Sequence, residues 1–178
     1  DEVLRDMMKK SYDILRNHPL NVKRKEQGLK PANSAWFWGA GKKPALTSFG
    51  ERTGKKGVMI SAVDLLKGIA VGADMDRILV EGANGGLHTN YEGKAGAAVE
   101  ALTKGGYDFA YIHVEAPDEM GHQGRIEDKI TAIEYVDEKI LGGVLNGLRK
   151  AGEDFRILLL PDHPTPIEAR THTGEPVP

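Results

Sequence analysis

From Gly57 onward, short apolar runs alternate with segments whose apolar residues recur every three or four positions, and this alternation constrains the fold more than any other feature. Gly57–Ile60, Arg77–Glu81, Tyr107–Val114 and Phe155–Leu160 read as strands, the last ended by Pro161. Between them, Ser61 with Asp64 opens a helix through about Ala70, and Thr89 with Glu92 caps an Ala-rich helix running to about Thr103. Residues 125–150 give the clearest helix, with Ile126, Ile130, Ile133, Val136, Ile140, Val144 and Leu148 along one face. Strands separated by helices predict an α/β fold, a mainly parallel sheet with helices on both faces, in which ligands gather at the carboxyl ends of strands.

The first 56 residues fit this frame less well. Val3, Leu4, Met7, Met8, Ile14 and Leu15 predict a helix over 2–16. Asn17 to Pro31 is polar, with His18-Pro19 and Gly28 as breakers, and is expected to be a loop or connector. Ala35-Trp36-Phe37-Trp38, stopped by Gly39 and Gly41, reads as a strand entering a turn, with both tryptophans at a core strand end rather than lining a cleft. The domain reading is a helix and connector over 1–31 and an α/β domain over 32–178. The chain starts at Asp1 inside a helical pattern and stops six residues after His172, so it is expected to be a piece of a longer protein.

Composition removes several classes of function. Apolar residues at 40% and charged residues at 28% fit a folded chain of 178 residues with a core. A net charge of −2 with dispersed Lys and Arg gives no footprint for nucleic acid or an anionic membrane. No apolar run approaches the roughly 18 residues of a membrane span, and the default location is cytoplasmic. With no cysteine, any metal must be held by His, Asp or Glu.

Two motifs follow the most buried-looking strands. In Ala116-Pro117-Asp118-Glu119-Met120-Gly121-His122, Asp118 and His122 stand four apart, with a glycine between them that allows a tight turn. In Leu160-Pro161-Asp162-His163-Pro164-Thr165-Pro166, prolines on both sides take Asp162-His163 out of a ladder, so both side chains can turn to one site. His172 follows in Thr171-His172-Thr173. Two Asp and three His without thiols suit Mn²⁺, Zn²⁺, Co²⁺ or Fe²⁺, or Mg²⁺ with more waters, and five ligands exceed one catalytic zinc site, pointing to two cations. The opposing reading is that these are solvated loop residues and helix caps. The Gly-rich loop Gly82–Gly86 lacks the spacing of a nucleotide-binding loop. His88 and His113 read as structural or exposed, and His113 is also placed to support the metal motif from its strand.

The run His113-Val-Glu-Ala-Pro-Asp-Glu-Met-Gly-His122, then Pro161-Asp162-His163, then His172-Thr173-Gly174-Glu175-Pro176-Val177-Pro178, resembles cofactor-independent phosphoglycerate mutases of the archaeal type, members of the alkaline phosphatase superfamily. Trp36–Gly41, Ser61–Ile69 and Thr89–Lys94 extend the likeness along essentially the whole chain. The resemblance implies an alkaline-phosphatase-like fold, incomplete at the amino terminus, and the interconversion of 3- and 2-phosphoglycerate. In the family a serine takes the phosphoryl group and returns it to the other hydroxyl. Carried over by position, Asp118, His122 and His172 match the ligands of one cation, and Asp162 and His163 match ligands of the other. Two divalent ions are implied, Mn²⁺ first, with Mg²⁺, Zn²⁺ or Co²⁺ as alternatives. Lys56 matches a family lysine that helps hold the phosphoryl group; its other reading is a solvated member of the pair Lys55-Lys56.

None of Ser11, Ser34, Ser48 and Ser61 follows the strand and Asp-Gly start that carries the family's nucleophile. The resemblance therefore implies that this chain alone lacks mutase activity, keeps weak metal binding, and is open to self-association through an unfilled sheet position. The substrate implied is a small phosphorylated three-carbon acid. The competing functions are another phosphatase or phosphotransferase of the superfamily, such as a phosphopentomutase, and a non-catalytic fragment whose Asp and His residues are structural.

Overall fold

The computed structural model describes residues 1–177 and divides into two compact units, Asp1–Pro44 and Ala45–Pro178. In the first unit, α1 (Glu2–Leu15) starts at Asp1, whose carboxylate accepts from the Val3 amide at 2.9 Å. A second helix, α2 (Pro19–Glu26), occupies the stretch expected to be a connector. Pro19 sits in its first turn, where proline's fixed φ and missing N–H favour a helix start, so it acts as an initiator here. Asn21 is the unit's one buried polar residue: its amide donates to Leu15 O and Ala32 O and accepts from the Ala32 amide, which ties the following loop to α2.

The expected strand at Ala35–Trp38 is absent. Trp36 and Trp38 are 77% and 80% exposed, their rings 6.4 Å apart, so neither lies at a core strand end. Aromatic content favours a pleated surface only where a neighbouring strand supplies one, and no described strand does so here.

The second unit is built on a three-stranded sheet in the order β2-β1-β3, with both pairings parallel, as the alternation predicts. A short helix α3 (Phe49–Thr53), which the sequence reading missed, precedes β1 (Gly57–Ile60). All four β1 residues are buried, and because successive side chains point to opposite faces, the central strand is covered on both. Next come α4 (Asp64–Gly72), β2 (Asp76–Ile78), α5 (Tyr91–Thr103) and β3 (Phe109–Ile112). The caps shift slightly from expectation. Asn90, rather than Thr89, accepts from the Gly93 amide at 2.8 Å, and Val63, with no side-chain cap bond, is the residue that precedes α4.

Beyond β3 lie α6 (Ala116–Gln123) and the long helix of the sequence reading. That helix is α7 (Ile126–Tyr135), continued through a π-helical stretch (Val136–Leu141) into α8 (Gly142–Ala151). The core joins Ile60, Tyr91, Ala95, Ala98, Ala116, Ala132, Ile140, Val144 and Leu148. Small residues let α5 and α8 approach closely: a Cβ on Gly147 would stand 2.6 Å from the Val99 side chain, and one on Gly143 3.1 Å from Ala95 Cβ.

The expected strand Phe155–Leu160 is a second correction. The segment joins no ladder among the described residues, and Leu158 is 85% exposed. Its composition suits a buried strand, yet the outer edge of β3 stays without a partner among the described residues. No helix among the described residues is long and apolar enough to cross a membrane.

Candidate metal centre

The glycine inside the Asp118–His122 motif predicts a tight turn; the structure has a helix there, α6. Pro117 stands in its first turn and Asp118 and Glu119 favour its amino end. Gly124, at φ +68°, ends it, and its amide donates to Gly121 O at 3.0 Å. On a helix, residues four apart share a face, so Asp118 and His122 project together. Their closest atoms, Oδ2 and Nε2, lie 3.4 Å apart.

His172 arrives from the carboxyl-terminal segment. Its Nε2 lies 3.3 Å from Asp118 Oδ1 and 3.1 Å from His122 Nε2. The three ligand atoms lie within 4.8 Å of one another. Two nitrogens on one tetrahedral cation, each about 2.0–2.1 Å from it, stand about 3.3 Å apart, close to the spacing here. The orientation fits as well. His122 Nδ1 is 3.0 Å from Arg170 O, so Nδ1–H donates to that carbonyl and the Nε2 lone pair faces Asp118 and His172. Arg170 presents its carbonyl from a left-handed conformation, φ 52°, one of two such non-glycine residues described. A side chain on Gly124 would meet the Arg170 guanidinium at 2.7 Å, so the glycine that ends α6 also makes room for it.

His163 stacks on His172 with ring centroids 3.7 Å apart, and its Nδ1 is 4.0 Å from Asp118 Oδ1. Asp162 lies beside it, Oδ2 to His163 Nε2 3.5 Å, with a mostly exposed side chain. Asp118, His122, His163 and His172 thus share one site, and Asp162 stands at its edge. Lys56 is not brought there. It precedes the amino end of β1, with Nζ 3.9 Å from Asp76 and 4.1 Å from the centre of the Tyr107 ring, whereas the histidine cluster follows the carboxyl end of the parallel strand β3.

Sequence reasoning missed two residues around the site, Thr165 and Lys94, and singled out a third, His113, as a support for the metal motif. Thr165 is 4% exposed; its hydroxyl donates to Asp118 Oδ1, and its carbonyl accepts from Lys129 Nζ at 2.6 Å. Lys94 is fully buried in α5. Its Nζ donates to His113 O at 2.9 Å and lies 3.8 Å from Glu115 Oε2, an oxygen with no hydrogen-bond partner among the described residues. Burial holds the Lys94 ammonium below its usual pKa, with the Glu115 carboxylate opposing. A signal for Lys94 existed: it falls on the apolar face of α5 shared by Tyr91, Ala95, Ala98 and Ala101. His113, after β3, meets Ser61 Oγ at 3.3 Å. Burial lowers its pKa, a shift that the negative charges of Glu115, Asp162 and Asp118 oppose and the Lys94 charge adds to, and the net direction is down.

The chain matches the model of the Metalloenzyme superfamily over residues 6–178. A 2,3-bisphosphoglycerate-independent phosphoglycerate mutase of Methanothrix thermoacetophila is 52% identical over 176 residues, covering 99% of this chain and 44% of the relative. A mutase of the same name from Methanosarcina barkeri is 53% identical over 173 residues, covering 97% of this chain and 43% of that one. A solved structure of a Pyrococcus horikoshii protein superposes with a TM-score of 0.80 at 32% identity, over 99% of this chain and 45% of its own. The chain thus spans less than half the length of these relatives. The parallel sheet with its covering helices is the alkaline-phosphatase-like α/β arrangement, and the family implies divalent metals: the chain belongs to the Metalloenzyme superfamily.

Proposed function

We propose that this chain supplies the metal cradle of a phosphoglycerate mutase that works without 2,3-bisphosphoglycerate, interconverting 3- and 2-phosphoglycerate. The observation that carries the reading is the convergence of His122 Nε2 and His172 Nε2 on the Asp118 carboxylate, with the far side of His122 held by a backbone carbonyl. Asp118, His122 and His172 are assigned to one cation and Asp162 with His163 to a second; mixed imidazole and carboxylate donors suit Mn²⁺, with Mg²⁺, Zn²⁺ or Co²⁺ as alternatives. Residues 1–31 are assigned to the inserted capping region and 32–178 to the metal-binding domain.

Bound divalent cations supply positive charge to the transferring phosphoryl oxygens and lower the pKa of an attacking hydroxyl. The chain's own side chains hold that charge at the end of β3 and orient it. The phosphoryl group passes from the 3-oxygen of glycerate to a serine and then to the 2-oxygen, one P–O bond forming as another breaks at each step. That serine is assigned to a part of the protein outside these 178 residues, so the chain by itself is expected not to turn over 3-phosphoglycerate. Lys56, paired with Asp76 and Tyr107, receives no role in this reading.

Titration calorimetry with Mn²⁺ on wild type and His122→Ala tests the cradle, with a marked loss of affinity expected in the variant; equal heats would remove these residues from it. A panel of 3-phosphoglycerate, a phosphopentose and a simple phosphate ester, given to the whole protein, separates the mutase from other phosphotransferases. Preferential turnover of either other substrate would overturn the mutase assignment.

A further inference from the structure

Thr165 touches a ligand from each half of the proposed site, and its hydroxyl has only one proton to give. That proton goes to Asp118 Oδ1, since a carboxylate can only accept. The same Oγ lies 3.3 Å from His163 Nδ1, and with its proton committed it can only accept there. The proton on that line therefore belongs to His163 Nδ1, which leaves the lone pair of the neutral ring on Nε2. His163 Nε2 faces Asp162 Oδ2 at 3.5 Å with no hydrogen bond between them, so a lone pair and a carboxylate meet across a gap that suits a cation. His122 reaches the same outcome through the Arg170 carbonyl; His163 reaches it through a side chain.

Thr165 is also held in place from behind. It is buried, its carbonyl accepts from Lys129 Nζ at 2.6 Å, and Gly121 lies against it with no room for a side chain, a Cβ there standing 2.6 Å from Thr165 O. A hydroxyl fixed by its own backbone in this way sets the geometry of its partners instead of following them.

We infer that Thr165 is a positioning residue common to both proposed cation positions: one hydroxyl orients the Asp118 carboxylate and sets His163 in the tautomer with Nε2 free to coordinate. The inference rests on the metal reading above for its purpose, but its geometry can be tested without metal. In the intact protein labelled with [15N]histidine, free of metal and at alkaline pH so that the ring is neutral, long-range proton–nitrogen spectra report which His163 nitrogen carries hydrogen. Wild type is expected to show Nδ1–H, Thr165→Val to lose that bias, and Thr165→Ser to keep it. Wild-type His163 protonated on Nε2 would overturn the proposal without any variant. Titration with Mn²⁺ should show Thr165→Val weakened about 10–100-fold, the usual range for lost support of a metal ligand, and Thr165→Ser close to wild type. Equal losses in both variants would show that the hydroxyl is not what acts. If wild type bound no divalent cation, the metal reading would fall while the spectra still decided the role of Thr165.

Discussion

Replacing Gly121 by alanine places two opposing effects on one residue. Gly121 lies in α6 between Asp118 and His122, and alanine in a helix interior is favoured over glycine by about 0.8–1.0 kcal/mol. Against that, the new Cβ would stand 2.6 Å from Thr165 O and 3.0 Å from both Thr165 Cγ2 and Lys129 Nζ. The Lys129 side chain can swing away, but the carbonyl belongs to a buried residue and must retreat by roughly 0.8 Å to reach ordinary contact at 3.4 Å. Overpacking of this kind costs about 1–3 kcal/mol. Set against the helix gain, the net loss of stability is about 0–2 kcal/mol. The retreat also carries Thr165 away from Asp118 and His163, so metal affinity should fall about 10–100-fold even where global stability hardly moves. Urea denaturation and Mn²⁺ calorimetry on the same preparation separate the two effects. A Gly121→Ala protein that gains the full helix increment and binds Mn²⁺ as wild type does would refute the close approach of this loop to α6.

Gly96→Ala in α5 is the matched control: its Cβ would meet nothing within 4 Å, so urea unfolding should show a gain of about 0.8–1.0 kcal/mol. The buried Tyr91 hydroxyl has no hydrogen-bond partner among the described residues, and burial with the nearby Tyr135 raises its pKa to about 12. Tyr91→Phe should therefore be neutral or stabilising by up to about 3 kcal/mol, and a clear drop in melting temperature would reveal a partner for the hydroxyl. Lys94→Met should cost about 3 kcal/mol or more at neutral pH, because it strands Glu115. The folded-state pKa of Lys94 is lowered from 10.5, so between the lowered value and 10.5 the unfolded chain binds the extra proton. Stability of wild type then rises with pH across that window, and the urea-measured gap to Lys94→Met should widen there; a constant gap would refute the sign. Chelating the metal should raise hydrogen exchange in 161–177 more than in α6, whose amides are held by helix bonds, and equal changes in both would count against this ordering.

Much of the second unit was legible because its signals are local. Gly57–Ile60 and Phe109–Ile112 carry the β-branched and aromatic content of strands, though only β1 is buried and β3 is half exposed, and the face from Ile126 to Leu148 repeats at helical spacing. What failed was set by distant neighbours. Phe155–Leu160 has the composition of a strand but joins no ladder, although β3 keeps a free outer edge among the described residues, and Trp36 and Trp38 have no second strand beside them there. In α6 the glycine suggested a turn, yet it serves to admit the Thr165 carbonyl, a need created 44 residues further along the chain. Thr165 lies in the Asp162-His163 motif, but nothing local marked its role, because its partners Asp118 and Lys129 lie 47 and 36 residues away in sequence.

The same contrast explains how the site divides its work. Asp118 and His122 sit on a helix whose own hydrogen bonds fix their spacing, so that half exists before any ligand arrives. Asp162, His163 and His172 lie on a segment without regular structure, held by a small number of contacts: Arg170 O on His122, Thr165 on Asp118 and Lys129, and the Thr173 amide on Pro164 O. The first two of these groups of contacts end on α6 and α7. The loop is thus registered against the helix that bears Asp118 and His122, and each contact to α6 orients one of these proposed ligands as well as holding the chain. Loss of one contact therefore registers as lost metal affinity before it registers as lost fold, because the core of Ile60, Ala98, Val144 and Leu148 does not depend on the loop.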